Sequence, residues 1–293
     1  MSPLPSITET IARRFSCRTY SGEPIPEDAR TELAEAAAAM RTGPFGSRLR
    51  FMLVAATPED GAALKRLGTY GTIRGATGFI LGAAEPGAES VGAMYLEDFG
   101  HAMERLILHA TALDLGTCWL GGFFTRGTFA RRIEASRAER IPSVAAVGRI
   151  RDQHSAREGI MRRSVGGGRR KSWEVFFHDG GFGAALTAKA AGEYSIPLEM
   201  ARQAPSASNR QPVRIVRSGA SWHFYIRRSP GYLPKFAQSL TGIEDLQRVD
   251  CGISMCHFEL SARELGLPGR WVVSRPAIPV PDGLTEYSAT WEG

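Results

Sequence analysis

The sequence is poor in cysteine and histidine, with four and six residues in 293. Cys17, Cys118, Cys251 and Cys256 are scattered and form no Cys-x-x-Cys pair. That excludes a disulfide scaffold, and the dispersed histidines add no zinc-ligand spacing. Cys251 and Cys256 read as buried residues of one helix. Long apolar runs are also missing: Leu106–Leu115 and Val144–Val147 are broken too early to cross a bilayer. Met1–Glu9 lacks the basic start and apolar run of a secretory signal. The expectation is a cytoplasmic protein with no membrane partner and no metal. No Gly-x-Gly-x-x-Gly follows a strand-like segment, so any nicotinamide dinucleotide would bind only transiently.

What remains is ordinary in bulk, with 43% hydrophobic and 23% charged residues. The length suits one large domain or two small ones. The net charge is +6, and arginine carries most of the excess. Its densest run, Arg169-Arg170-Lys171, follows Gly166-Gly167-Gly168. No aromatic residues interleave with it, so a phosphorylated small molecule is expected in preference to nucleic acid.

The chain repeats itself. Asp98, Gly100 and Met103 fall on Asp250, Gly252 and Met255 at an offset of 152 residues, the distance from Asp98 to Asp250. The same register carries Leu108, Ala110, Leu113, Leu115 and Trp119 onto Leu260, Ala262, Leu265, Leu267 and Trp271. Apolar residues at i, i+3 and i+4 predict a long helix in each copy, Asp98–Leu113 and Asp250–Leu265, followed by a turn and a strand opening on tryptophan. Upstream, a helix over Glu32–Met40 leads through Pro44 to a strand at Leu49–Ala55. A shorter helix over Pro197–Gln203 leads through Pro205 to strands at Val213–Val216 and Trp222–Ile226. Each half therefore runs helix, Pro-containing loop, strand, long helix, strand. The boundary is expected in the loop-like stretch near Asp179–Gly183, giving units 1–180 and 181–293.

The halves differ in what they carry. Only the first has Arg14-Phe15-Ser16-Cys17-Arg18. On an extended segment Arg14, Ser16 and Arg18 share one face, and two guanidiniums with a hydroxyl suit a dianionic phosphate. The same triplet also suits a solvated basic strand. Only the second half has Ala204-Pro205-Ser206-Ala207-Ser208-Asn209-Arg210-Gln211-Pro212. Its prolines make a rigid loop, and its amides both donate and accept, as the C=O and N–H edge of a flat heterocycle requires. Backbone capping is the alternative use of such residues. Glycines flank Thr117-Cys118-Trp119-Leu120, allowing close backbone approach to a flat ligand; Trp119, whose counterpart Trp271 persists, also reads as core.

Together these blocks resemble the FMN-dependent nitroreductase family, in its single-chain tandem branch. Arg14-x-Ser16-x-Arg18-Thr19-Tyr20 with Pro24-Ile25-Pro26 is similar to the family's opening motif. Ala204–Pro212 is similar to its Ala-Pro-Ser-Ala-x-Asn-x-Gln-Pro loop, Leu113–Gly121 to its glycine-bearing strand, and Arg170-Lys171 to its late basic pair. The resemblance implies an α+β, nitroreductase-like fold of two antiparallel-sheet and helix units forming an intrachain pseudo-dimer. It implies one FMN per chain. Arg14, Ser16, Arg18, Arg170 and Lys171 would hold its phosphate and ribityl end. Pro205, Ser206, Asn209 and Gln211 would hold the ring edge, and Trp119, Leu120 and Gly121 the ring face. In the family the Arg-Ser-Arg motif, the strand and the basic pair come from one subunit, and the Pro-Ser loop from the other. Arg48 and Arg50 stand where Asn209 and Gln211 stand, so the mirror site is expected to be lost. The implied activity passes electrons from NAD(P)H to a small flat acceptor, a nitroaromatic or quinone, by ping-pong turnover without a catalytic protein side chain. A non-catalytic flavin-binding or redox-sensing protein shares every motif. The chain would need no second copy, and the acceptor and nicotinamide preference stay open.

Overall fold

The computed structural model describes residues 5–55, 73–87, 94–122, 124–151, 170–231 and 243–293. Its first helix, α1 (Ile7–Arg13), starts on a capping box: Ser6 Oγ accepts the Glu9 N–H at 3.2 Å, and Glu9 returns a carboxylate to the Ser6 N–H at 3.0 Å. There follow α2 (Glu27–Ala39), β1 (Leu49–Ala55), β2 (Gly78–Ala84), α3 (Tyr95–Ala112), β3 (Leu115–Leu120), α4 (Arg126–Arg132) and β4 (Val144–Arg149). The remainder holds α5 (Trp173–Phe176), β5 (Phe177–Asp179), α6 (Ala188–Ala191), α7 (Ser195–Gln203), β6 (Val213–Ser218), β7 (Ser221–Arg227), α8 (Leu246–Glu264), β8 (Arg270–Val272) and β9 (Thr285–Glu292).

The chain divides into two compact units, Met1–Tyr95 with Ala102–Arg169, and Leu96–His101 with Arg170–Gly293. The first holds a four-stranded antiparallel sheet of order β1-β2-β4-β3. The second holds a five-stranded sheet of order β5-β6-β7-β9-β8. Without β5, which pairs parallel to β6 at one edge, the second order is that of the first with each strand advanced by five. The long helix also falls in the same place, after the second strand of each series. Sequence repeat and topological repeat coincide.

Each unit has its own core. In the first, Tyr20, Phe79, Leu81, Cys118, Leu120, Phe129 and Val144 form one buried cluster, with Phe129 edge-on to Phe79 and Phe124. In the second, Phe258 of α8 lies among Tyr194, Trp222, Phe224, Trp271 and Trp291. Aromatic pairs of this kind add to the stabilisation from buried area. All four cysteines are buried, and none is in a disulfide.

The second unit also contains a local two-fold. A Cβ on Gly100 would run into the Val249 carbonyl, and one on Gly252 into the Glu97 carbonyl. Gly100 and Gly252 are repeat equivalents, as are Glu97 and Val249, both at the offset of 152. The two helix segments meet through equivalent surfaces, which is how an isologous contact is built. Glycine at both places lets the backbones touch. Among the described residues no helix is long and apolar enough to cross a membrane.

Candidate functional site

The Ala204–Pro212 loop owes its shape to its prolines. Ala204 ends α7 with ψ 133°, the extended geometry preferred before proline. Ser206 continues extended, and a single 3₁₀ turn, Ala207–Asn209, follows. Ser208, Asn209 and Gln211 all lie in the left-handed region, at φ 50°, 53° and 51°. Gln211 does so directly before Pro212, where the left-handed basin is unusual. Each such residue costs roughly 1 kcal/mol or more, and clusters of them mark functional sites.

Side chains hold the loop against that strain. Ser206 Oγ accepts the Gln211 N–H at 2.9 Å, and Asp250 Oδ1 of α8 accepts the Ala207 N–H at 2.9 Å. Gln211 Nε2 donates to the Asn209 side chain and main chain, each at 3.1 Å. Lys171 N–H donates to Gln211 Oε1 at 2.8 Å, and Lys171 Nζ to the Arg210 carbonyl at 2.9 Å. Arg170 reaches the Gln203 carbonyl at 2.7 Å and Asn209 Oδ1 at 3.4 Å. The structure thus brings Arg170, Lys171, Ser206, Asn209 and Gln211 into one hydrogen-bonded cluster, with half-buried Pro205 at its entrance. Arg170 and Lys171, grouped with Arg14–Arg18 by the resemblance, lie in the second unit. Gly166–Arg169 lie outside the described residues.

The cluster is strongly positive. Burial pushes the Lys171 ammonium below its usual range, aided by Arg214, Arg227 and Arg210. Arg214 of β6 is 5% exposed. Its guanidinium donates to the Gln211 carbonyl at 3.0 Å and lies over the Phe176 ring. Burial, then repulsion from Arg227, brings it down to about 10.

In the first unit Arg14–Arg18 is extended beside β3, with Cys17 N–H donating to the Thr117 carbonyl at 2.8 Å and Ser16 bridging Thr117. Ser16 and Arg18 are exposed, whereas Arg14 is 2% exposed. Its Nε lies 3.5 Å from Glu104 Oε1 of α3 and has no hydrogen-bond partner among the described residues. Burial lowers the Arg14 guanidinium against the opposing pull of Glu104. Glu104 also takes the Trp119 indole N–H at 2.6 Å. Leu120 is buried, and the Gly121 carbonyl accepts from Arg126 at 2.9 Å. Phe123, two residues on, lies outside the described residues.

A family described as "Putative TM nitroreductase" matches residues 6–262. The chain belongs to this family. One of the most similar solved structures is a Thermotoga maritima protein described as a putative nitroreductase, at 18% identity, covering 100% of this chain and 95% of that one with a TM-score of 0.60. The fold is therefore shared over the whole length. A putative nitroreductase in complex with FMN from Desulfovibrio desulfuricans aligns at 23% identity over 50% of this chain and 88% of its own, TM-score 0.39. A putative NADH oxidase from Clostridium acetobutylicum aligns at 22% over 48% and 87%, TM-score 0.38. No curated protein matches.

Within this nitroreductase family member, the first unit puts other residues where the second has its loop. Arg50 is spent on Glu139, at 2.9 Å from Nη2, and on the carbonyls of Ile133 and Glu134. The Arg50 guanidinium holds the Glu139 carboxyl down to about 2. Arg48 lies 3.7 Å from Glu85 at the surface. Three residues escaped the sequence reading: Glu104, Asp250 and Arg214. Two had a visible signal, an acid on an otherwise apolar helix face and a cation inside the apolar run of β6.

Proposed function

We propose that this chain is an FMN-dependent oxidoreductase that passes electrons from NAD(P)H to a small flat acceptor such as a nitroaromatic or quinone. The observation that carries this reading is the strained Ser206–Gln211 loop, pinned beside Arg170 and Lys171 in a chain of the nitroreductase family. The residues fit FMN. The loop offers carboxamides that can both donate and accept, as the ring edge requires. The cations around Lys171 and exposed Arg18 suit a phosphate dianion. Arg14 adds a buried Nε that is ion-paired to Glu104 but makes no hydrogen bond among the described residues.

FMN, when bound, supplies the hydride and electron chemistry, and the protein supplies orientation and electrostatics. Asn209, Gln211, Ser206 and Pro205 would hold the ring edge. Trp119, Leu120 and Gly121 would offer a face, with the indole turned by Glu104. Arg18 and Ser16, with Lys171 and Arg170, would take the phosphate end, and Arg14 would brace their strand from below. One flavin per chain is expected, since each unit carries only part of the set. Donor and acceptor would share the space over the ring in turn, which makes turnover ping-pong.

The test is the absorption spectrum of the purified protein, followed by steady-state NAD(P)H oxidation with menadione or a nitrofuran. Flavin bands and turnover are expected. An FMN-loaded sample that turns over neither acceptor would sink the reductase reading and favour a flavin-binding or redox-sensing role.

A further inference from the structure

One bond ties the ring loop to the core helix of the second unit. The Ala207 N–H, which opens the loop's helical turn, donates to Asp250 Oδ1 at 2.9 Å. Asp250 lies on α8, 4% exposed, and its Oδ2 has no hydrogen-bond partner among the described residues. A carboxyl buried with one oxygen orphaned costs stability, so its presence asks for a reason. The other pins act further along: Ser206 Oγ and the Lys171 N–H close on Gln211 at the loop's exit, Lys171 Nζ donates to the Arg210 carbonyl, and Arg170 reaches Asn209 Oδ1. Between entrance and exit stand the left-handed residues Ser208 and Asn209, a backbone that local preference does not hold.

We propose that Asp250 is a positioning residue for the flavin: its bond to the Ala207 N–H holds the Ser206–Gln211 loop in the shape that presents Asn209 and Gln211 to the ring. This rests on the FMN reading above. Asp250 itself touches no flavin. Burial holds its carboxyl well above the usual carboxylate range, and asparagine keeps an accepting oxygen in the same place.

The experiment is a fluorescence titration of flavin-stripped protein with FMN, beside thermal unfolding of each variant. Asp250→Asn, whose amide oxygen accepts the same bond, is expected to bind within about twofold of wild type, and Asp250→Ala about tenfold more weakly. Ala207→Pro removes the donor without touching the core. Ser206 at φ −145°, ψ 154° suits a residue before proline, and Ala207 is not among the residues of positive φ, where proline could not sit. It should match Asp250→Ala, and the double variant should bind no worse than the weaker single one, because both remove one bond. If Asp250→Ala does not fold, Ala207→Pro decides alone. Wild-type affinity in Ala207→Pro, or a loss in Asp250→Asn as large as in Asp250→Ala, overturns the proposal while leaving the flavin reading intact. Wild-type protein that takes up no FMN overturns both.

Discussion

At the scale of single residues, one tight constraint lies under the Arg-Ser-Arg strand. A Cβ on Gly116 would sit 2.9 Å from Cys17 Cβ, Cys17 Sγ and Ile150 Cγ1, closer than packed carbons approach. Gly116 is therefore what lets Ser16 and Arg18 lie along β3. Gly116→Ala should cost about 1–3 kcal/mol as overpacking and should also weaken FMN binding by displacing that strand. Gly122→Ala, where no described atom lies within 4 Å of the new Cβ, should leave both nearly unchanged. Denaturant melts and FMN titrations of the two variants check this, and equal behaviour would refute it. The sequence made the extended Arg14–Arg18 segment legible, but of the three residues expected on one face Arg14 is buried while Ser16 and Arg18 are exposed. It could not show that Arg14 is buried against Glu104. That contact joins α1's end to a helix some ninety residues on, and no local pattern encodes it.

At the scale of elements, legibility followed periodicity. The strand Leu49–Ala55 and both long helices stand close to where their patterns placed them. The strand β2 was missed because it is buried along its whole length, and a central strand buried on both faces shows no alternation to read. The short edge strand β5 has the opposite difficulty: three residues are too few to show a pattern, and its last, Asp179, opens the loop-like stretch Asp179–Gly183. Element packing also sets a pH dependence. Glu97, at the start of α3, is fully buried. Its Oε1 accepts from Arg248 at 2.7 Å and Ser288 at 3.1 Å. Burial, outweighing the pull of Arg248, pushes its carboxyl up to about 7. An unfolded glutamate titrates near 4.5, so between those values the folded state holds a proton that the unfolded state has released. Stability from this group is thus present at low pH and lost as pH rises through the folded value. Glu97→Gln should remove that slope, gaining on wild type between pH 4.5 and 8 in urea melts. A stability difference between the two proteins that does not change with pH would defeat the claim.

At the scale of the whole molecule, two copies of one topology carry unlike contents. Strand orders β1-β2-β4-β3 and β6-β7-β9-β8 repeat, yet the strained loop belongs to the second copy alone, while in the first Arg50 is fastened to Glu139 and to two carbonyls. Where the second copy has Gln211, the first has an Arg50 already spent on its own structure, and that stretch lacks the carboxamides as well. This yields a prediction about number. With one site per chain, Asn209→Ala together with Gln211→Ala should take the bound flavin from one per chain toward none. With two working sites, the same change would leave the other flavin in place and give one of two. Absorbance of released flavin against protein concentration separates the cases, provided a melt shows the variant folded. Arg50→Gln, tested alongside, should add no second flavin. One restored amide cannot rebuild a loop whose left-handed backbone depends on Pro205, Pro212, Lys171 and a carboxyl on α8 acting together.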